Sequence, residues 1–260
     1  MTLPVFYLES AKSVAVGDTT VLDGAEGHHA ANVRRLRVGE AALLTDGQGT
    51  ALHCRVTKVG RKDVTFEMTS LTTVAAPPVQ LTAVQALAKG DRGERAVEML
   101  TEVGVHRIVP WQAERSVSRW QGDKLERGRA KWQSAATEAA KQSRRVWWPT
   151  IAPPATTTDV IALLTQSTTG FVLHESADAS LAAALDAREL PHPGEVVVVV
   201  GPEGGISDNE LTQMQAAGAS SVRLGDTVLR TSTAGVVAAS LVLSHTTPWR
   251  VGSPREQRSP

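Results

Sequence analysis

The stretch EVVVVVGPEGGISDNELTQMQAAGASSVRLGDTVLRTSTA, residues 195–234, decides how the chain is read. Val196–Val200 is an unbroken β-branched run, the pattern of a strand buried on both faces of a parallel sheet. It runs into Gly201-Pro202-Glu203-Gly204-Gly205, a turn of bare backbone that a ligand can approach closely. Ser207 then opens a helix with Glu210 three residues on, the spacing of a capping box, and Gly218 suits its end. Ser220–Leu224 reads as a short strand, Gly225–Thr233 as a polar loop and Ala234–Ser244 as an apolar helix. Ligands of open α/β sheets sit beyond the C-terminal ends of the strands, where both loops fall.

GPEGGIS followed by LG-x-x-VLRTSTA closely resembles the RsmE family of SPOUT-class methyltransferases. Those enzymes methylate N3 of a uridine in small-subunit (16S) ribosomal RNA, using S-adenosylmethionine. The resemblance implies an α/β fold whose C-terminal parallel sheet carries a deep trefoil knot, preceded by a small PUA-like β-barrel that binds RNA. It also implies a homodimer, with the 30S subunit as partner. The cofactor is expected on Leu173, His174 and Glu175, on Gly201, Pro202, Glu203, Gly204 and Gly205, and on Leu224, Gly225, Val228, Leu229, Arg230 and Thr231. Ser232 stands where many relatives carry a glutamate, which argues against an obligatory base at that position.

Working outward, residues 1–70 show short strands at Val5–Leu8, Thr20–Leu22, Ala41–Leu44, Ala51–Val59 and Asp63–Thr69. Asp46-Gly47-Gln48-Gly49 is a turn signal between two of them, and the spacing suggests a small barrel. A helical piece around His28–Leu36 carries Arg34, Arg35 and Arg37. HHAANVRRLRVGE matches the family's PUA-like domain, so these arginines are expected at the RNA backbone, where a guanidinium grips phosphate bidentately. Solvated surface charge is the plain alternative. Leu71–Val79, with Pro77-Pro78, reads as the linker, giving domains 1–73 and 74–260.

Leu81–Ala86 follows as a strand. Lys89-Gly90-Asp91-Arg92-Gly93-Glu94 then opens a helix with Ala96, Met99, Leu100 and Val103 on one apolar face, ended by Gly104. The G-x-x-x-x-G-K-[ST] order is absent, which excludes a P-loop reading. This segment resembles the family's K-x-x-R-x-E, and Glu114-Arg115-Ser116-Val117 its E-R-S-V. Lys89, Arg92 and Arg115 join the expected RNA contacts. A long helix is expected from about Asp123 to Arg144, with Leu125, Trp132, Ala136 and Ala139 as its apolar stripe. Lys141 and Arg145 are placed on its surface. Its end resembles the family's E-A-x-x-Q-S-x-R segment near the site of methyl transfer; Glu138 and Gln142 lie one turn apart.

Uracil N3 must lose its proton, or its ring anion must be stabilised, before it attacks a methyl donor. Arg230 or Arg144 is the candidate stabiliser, and Glu138 or Glu175 the proton acceptor, with Gln142 alongside. Six of the ten aromatics are tryptophans. Stacking on a flipped base is open to them, although burial suits most better.

Composition narrows the class. Hydrophobic residues make up 42% and charged residues 21%, and Lys plus Arg balance Asp plus Glu at 27 each. The balance is local, however: Gln85–Thr150 carries 13 basic against 8 acidic residues, and Ile151–Glu210 carries 1 against 9. A basic middle suits an anionic partner. Cys54 is the lone cysteine, no apolar run is long enough to span a bilayer, and the first residues lack the pattern of a secretory leader. A cytoplasmic address without membrane contact is expected. No histidine has ligand spacing with other donors, so no metal is expected. A Rossmann-type nucleotide enzyme would need G-x-G-x-x-G, which is missing. A non-catalytic RNA-binding module and a relative acting on transfer RNA are the remaining alternatives.

Overall fold

The computed structural model describes residues 3–246; the proline-containing tail beyond them, with Trp249, lies outside the described residues. The chain divides into two compact units. One holds residues 1–76 together with 140–148, a return of the chain that the linear pattern does not announce. The other holds 77–139 and 149–260.

The first unit contains β1 (Val5–Tyr7), β2 (Thr19–Leu22), α1 (Gly24–His28), β3 (Ala41–Thr45), β4 (Thr50–Val59) and β5 (Val64–Thr73). The sheet order is β1-β3-β4-β5-β2, antiparallel except for β1 on β3. Phe6 and Leu22 sit on the two edge strands yet share one buried cluster with Leu44, Leu52 and Phe66, so the sheet curls round a single core. Cys54 is buried there, and burial pushes its thiol up to about 12, which leaves it unreactive. The expected helix at His28–Leu36 lies earlier in fact. Gly24–His28 is α-helical and His29–Val33 continues as a wider π-turn, so Arg34, Arg35 and Arg37 follow the helix; Arg35 has φ 54°.

The second unit follows with β6 (Val79–Ala86), α2 (Arg92–Val103), β7 (Arg107–Trp111), α3 (Asp123–Gln142) and β8 (Thr150–Ile151). Then come α4 (Thr157–Gln166), β9 (Thr169–Leu173), α5 (Leu181–Asp186), β10 (Gly194–Val200), α6 (Asp208–Ala216), β11 (Ser220–Val222) and α7 (Thr231–Ser244). The sheet order is β11-β9-β10-β6-β7-β8, and every pairing is parallel. β10 shows why its last five residues are all valine. Val196, Val198 and Val200 face a core shared with Leu100, Trp132, Leu181 and Leu243, while Val197 and Val199 face one shared with Val160 and Met214. Full burial of such a side chain contributes about 1.5–3 kcal/mol.

Three local expectations change. On α2 it is Val97, not Met99, that joins Ala96 and Leu100 in the core; Met99 is half-buried. α3 stops at Gln142 because Arg144 turns to φ 57°. Lys141, on the last turn of α3 and within the 140–148 stretch of the first unit, is buried, not exposed, with Nζ 2.8 Å from Glu26 Oε1 of the same unit. Arg145 is half-buried, and burial pulls its guanidinium down to about 10, still protonated at neutral pH.

Candidate active site

The C-terminal ends of β9, β10 and β11 point the same way because the three strands are parallel neighbours. The loops leaving them enclose a cavity of about 370 Å³, within the range of small-molecule sites. Leu173, His174 and Glu175 line it from the first loop. Gly201, Pro202, Glu203 and Gly205 line it from the second, and Leu224, Gly225, Val228, Leu229, Arg230 and Thr231 from the third. Gly204 does not line the cavity: it packs on Arg115, whose carbonyl lies 3.1 Å from where a Cβ on Gly204 would stand.

The glycine turn is built by its surroundings. Ser207 caps α6, its Oγ accepting the Glu210 N–H, and the Glu210 carboxylate takes the Ser207 N–H in return. Glu210 is buried, and its other oxygen accepts the Glu114 N–H at 2.9 Å and the Thr157 hydroxyl at 2.8 Å. Glu114 in turn accepts the Ser207 hydroxyl at 2.6 Å. One buried carboxylate thus joins α6, α4 and the loop after β7. The E-R-S-V segment holds this turn in place through Glu114 as well as exposing Arg115. Gly205 adopts φ 74°, and its N–H donates to the Pro202 carbonyl at 2.9 Å.

Glu203 accepts the Arg92 guanidinium at 2.9 Å and the Lys89 N–H at 3.2 Å. Burial alone would raise its carboxyl, but hydrogen bonds from its own backbone, Arg92 and Lys89 outweigh that and hold it below the ordinary 4.5. Arg92, expected at RNA, therefore lines this cavity. Lys89 and Arg115 are exposed, as are Arg34, Arg35 and Arg37 in the first unit.

The polar loop ends earlier than its composition suggests. α7 begins at Thr231, with Arg230 as its N-cap, and Thr231 and Ser232 are buried. A buried Ser232 fits a hydroxyl in the first turn of the helix; a carboxylate there would need its own partners. Glu138 stands exposed on α3 and is not part of the cavity lining. Gln142 and Arg144 belong to the first unit. Of the four candidate acid–base residues, the cavity brings together Arg230 and Glu175.

Val200, Ile206, Arg223, Asp226, Thr227 and Ala234 also line the cavity. For all but Ala234 the signal was positional: each of the others adjoins a residue already singled out. Arg223 is held by donating to the Ala177 carbonyl at 3.1 Å. Among the described residues no cluster of His, Cys, Asp and Glu could hold a metal ion, and no helix is long and apolar enough to cross a membrane. Trp111 and Trp132 are core residues, and Trp120 stacks edge-on against Trp132.

Family profiles match both parts of the chain. One described as an RNA methyltransferase domain spans residues 75–243, and one described as an RNA methyltransferase PUA domain spans residues 22–69. The ribosomal RNA small subunit methyltransferase E of Mycobacterium bovis is 38% identical over 96% of this chain and 94% of its own. Among solved structures, a ribosomal RNA small subunit methyltransferase E from Neisseria gonorrhoeae bound to S-adenosyl methionine superposes with TM-score 0.82. It is 29% identical over 94% of this chain and 98% of that one. A Legionella pneumophila methyltransferase with bound SAM gives TM-score 0.84 at 25% identity, with the same coverage. The chain belongs to the ribosomal RNA small subunit methyltransferase E family of RNA methyltransferases.

Proposed function

We propose that this protein transfers a methyl group from S-adenosylmethionine to N3 of a uridine in 16S ribosomal RNA, acting on the assembled 30S subunit. The carrying observation is the cavity at the ends of three parallel strands, in a chain of this family. Its residues fit the cofactor. Gly201 and Gly205 bring bare backbone to the wall, Glu203 and Asp226 suit its cationic sulfonium and ammonium, and Arg92 and Arg223 suit its carboxylate. Bound there, the cofactor supplies an electrophilic methyl.

This chain's own residues then manage one proton and one developing charge. Uracil N3 attacks only as an anion or near-anion. Arg230 is placed to stabilise that anion, and the exposed Glu175 to take the proton; both line the cavity, which favours them over Arg144 and Glu138. The exposed Arg34, Arg35 and Arg37, with Lys89 and Arg115, contact the RNA backbone. The functional domains are 1–73 and 74–260, with 140–148 completing the first. A knotted path is supported by α7, which follows the edge strand β11 yet packs on the central β6 and β10. The protein works as a homodimer in the cytoplasm, beside its ribosomal substrate; Val117 and Val228, 70% and 80% exposed, suit an apolar contact.

The test is methyl transfer from labelled S-adenosylmethionine to 30S subunits lacking N3-methyluridine, with the product nucleoside identified. N3-methyluridine at a single site is expected. Cofactor binding with no labelled nucleoside on 30S or naked 16S RNA would refute the substrate assignment.

A further inference from the structure

Gln85 is, with Thr82, one of two buried polar residues in β6. It lies at the C-terminal end of β6, paired with Val200 of β10, and is fully buried among apolar neighbours. A buried amide is costly unless it is hydrogen-bonded. Its Nε2 donates to Thr231 Oγ1 at 3.1 Å, and Thr231 Oγ1 donates to the Gly201 carbonyl at 2.7 Å. A hydroxyl has one proton, and Gly201 takes it, so the amide must turn its NH₂ toward Thr231. The other end of the side chain bears the consequence. Gln85 Oε1 has no hydrogen-bond partner among the described residues and lies 3.2 Å from where a Cβ on Gly235 would stand. A leucine would fill this site without an unsatisfied acceptor, so packing alone does not explain a glutamine here.

We infer that Gln85 is a positioning residue for the cofactor. Through Thr231 it ties the turn that begins at Gly201 to the first turn of α7. That fixes one wall of the cavity and the backbone that carries Arg230. Gln85 itself is absent from the cavity lining and acts through its neighbours. The inference rests on the methyltransferase reading of the cavity.

The test uses the full-length protein with Gln85→Leu, Thr231→Val and Thr231→Ser, read by calorimetric titration of S-adenosylmethionine, thermal unfolding and steady-state methylation of 30S subunits. Gln85→Leu and Thr231→Val are each expected to weaken cofactor binding about tenfold, the scale of one hydrogen bond. KM for the RNA should stay near the parent value in both variants, and the melting temperature in Gln85→Leu; Thr231→Val leaves the buried Gln85 amide without its hydroxyl acceptor and should also lower melting. Thr231→Ser keeps the hydroxyl and should bind within about twofold of the parent. Parent-like binding by Gln85→Leu overturns the inference whatever Thr231→Val does, as does a Thr231→Ser protein as weak as Thr231→Val. If Gln85→Leu does not fold, Gln85→Met, which keeps the side-chain length without the amide, decides in its place. Failure of the parent itself to bind S-adenosylmethionine would remove the methyltransferase reading and this inference together.

Discussion

Two walls of the same cavity are built on opposite plans. The wall from Gly201 to Ser207 is tied at nearly every residue: Gly201 to Thr231, Glu203 to Arg92 and Lys89, Gly205 to Pro202, Ser207 to Glu210 and Glu114. The wall from Leu224 to Leu229 has no hydrogen bond within the described residues, and its Val228 is 80% exposed. Both are loops at strand ends, and both are rich in small or polar residues. What separates them is the supply of buried partners, chiefly Glu210. A pre-organised wall binds without an ordering cost, whereas a bare wall must be ordered by what it meets. The tied wall is thus suited to hold a small cofactor, and the bare one to close over cofactor or RNA.

Breaking either wall gives effects that can be ranked. Arg230→Ala, where the bare wall enters α7, should lower methyl transfer about 100-fold, the scale of one lost charge stabiliser. Melting should barely move, because Arg230 is exposed; an equal fall in melting would mean its role is structural. Glu210→Ala removes the tied wall's anchor and strands the N–H groups of Glu114 and Ser207, costing about 2 kcal/mol in denaturant unfolding. Gly205→Ala forces a side chain onto φ 74°, costing about 1 kcal/mol, while Gly225→Ala, with open space around it, should change stability by less than about 0.5 kcal/mol. The smallest effect is a pH dependence. Glu203 is held below 4.5, so its contribution is present above the ordinary carboxylate range and lost as pH falls through its lowered value. Wild type and Glu203→Gln should therefore differ in melting at pH 6–8 and converge below about 4.5; a constant difference down to pH 3 would break the assignment.

The glycine turn, the helix capped by Ser207 and the parallel sheet were legible because each rests on local rules: five consecutive valines, a capping box and positive-φ glycines. Most of the cavity residues were legible through the family resemblance, Arg92, Arg223 and Asp226 among the exceptions; strand-end logic alone names the loops but not the side chains. What stayed hidden depends on distant pairing. Lys141 looks like any helix-surface lysine until Glu26 is folded beside it. Gln85 reads, like Thr82, as a polar residue in a strand, and Thr231 as part of a loop, until α7 begins one residue after Arg230. The start of α1 was missed because Gly24 and Gly27 argue against a helix. Gly27 is required all the same: a Cβ there would stand 2.4 Å from the Leu22 carbonyl.

The return of residues 140–148 to the first unit also sets the order in which the protein can be made. Gly47 and Gly49 leave room for the rings of Trp148 and Trp147, Trp147 Nε1 donates to the Val74 carbonyl, and Tyr7 stacks on Trp148. During synthesis those seats stay empty until α3 has emerged from the ribosome. The unit that begins the chain is completed only after β6, α2, β7 and most of α3 of the other unit have been made, and a fragment cut at residue 73 or 76 would carry an open aromatic socket in place of a finished surface.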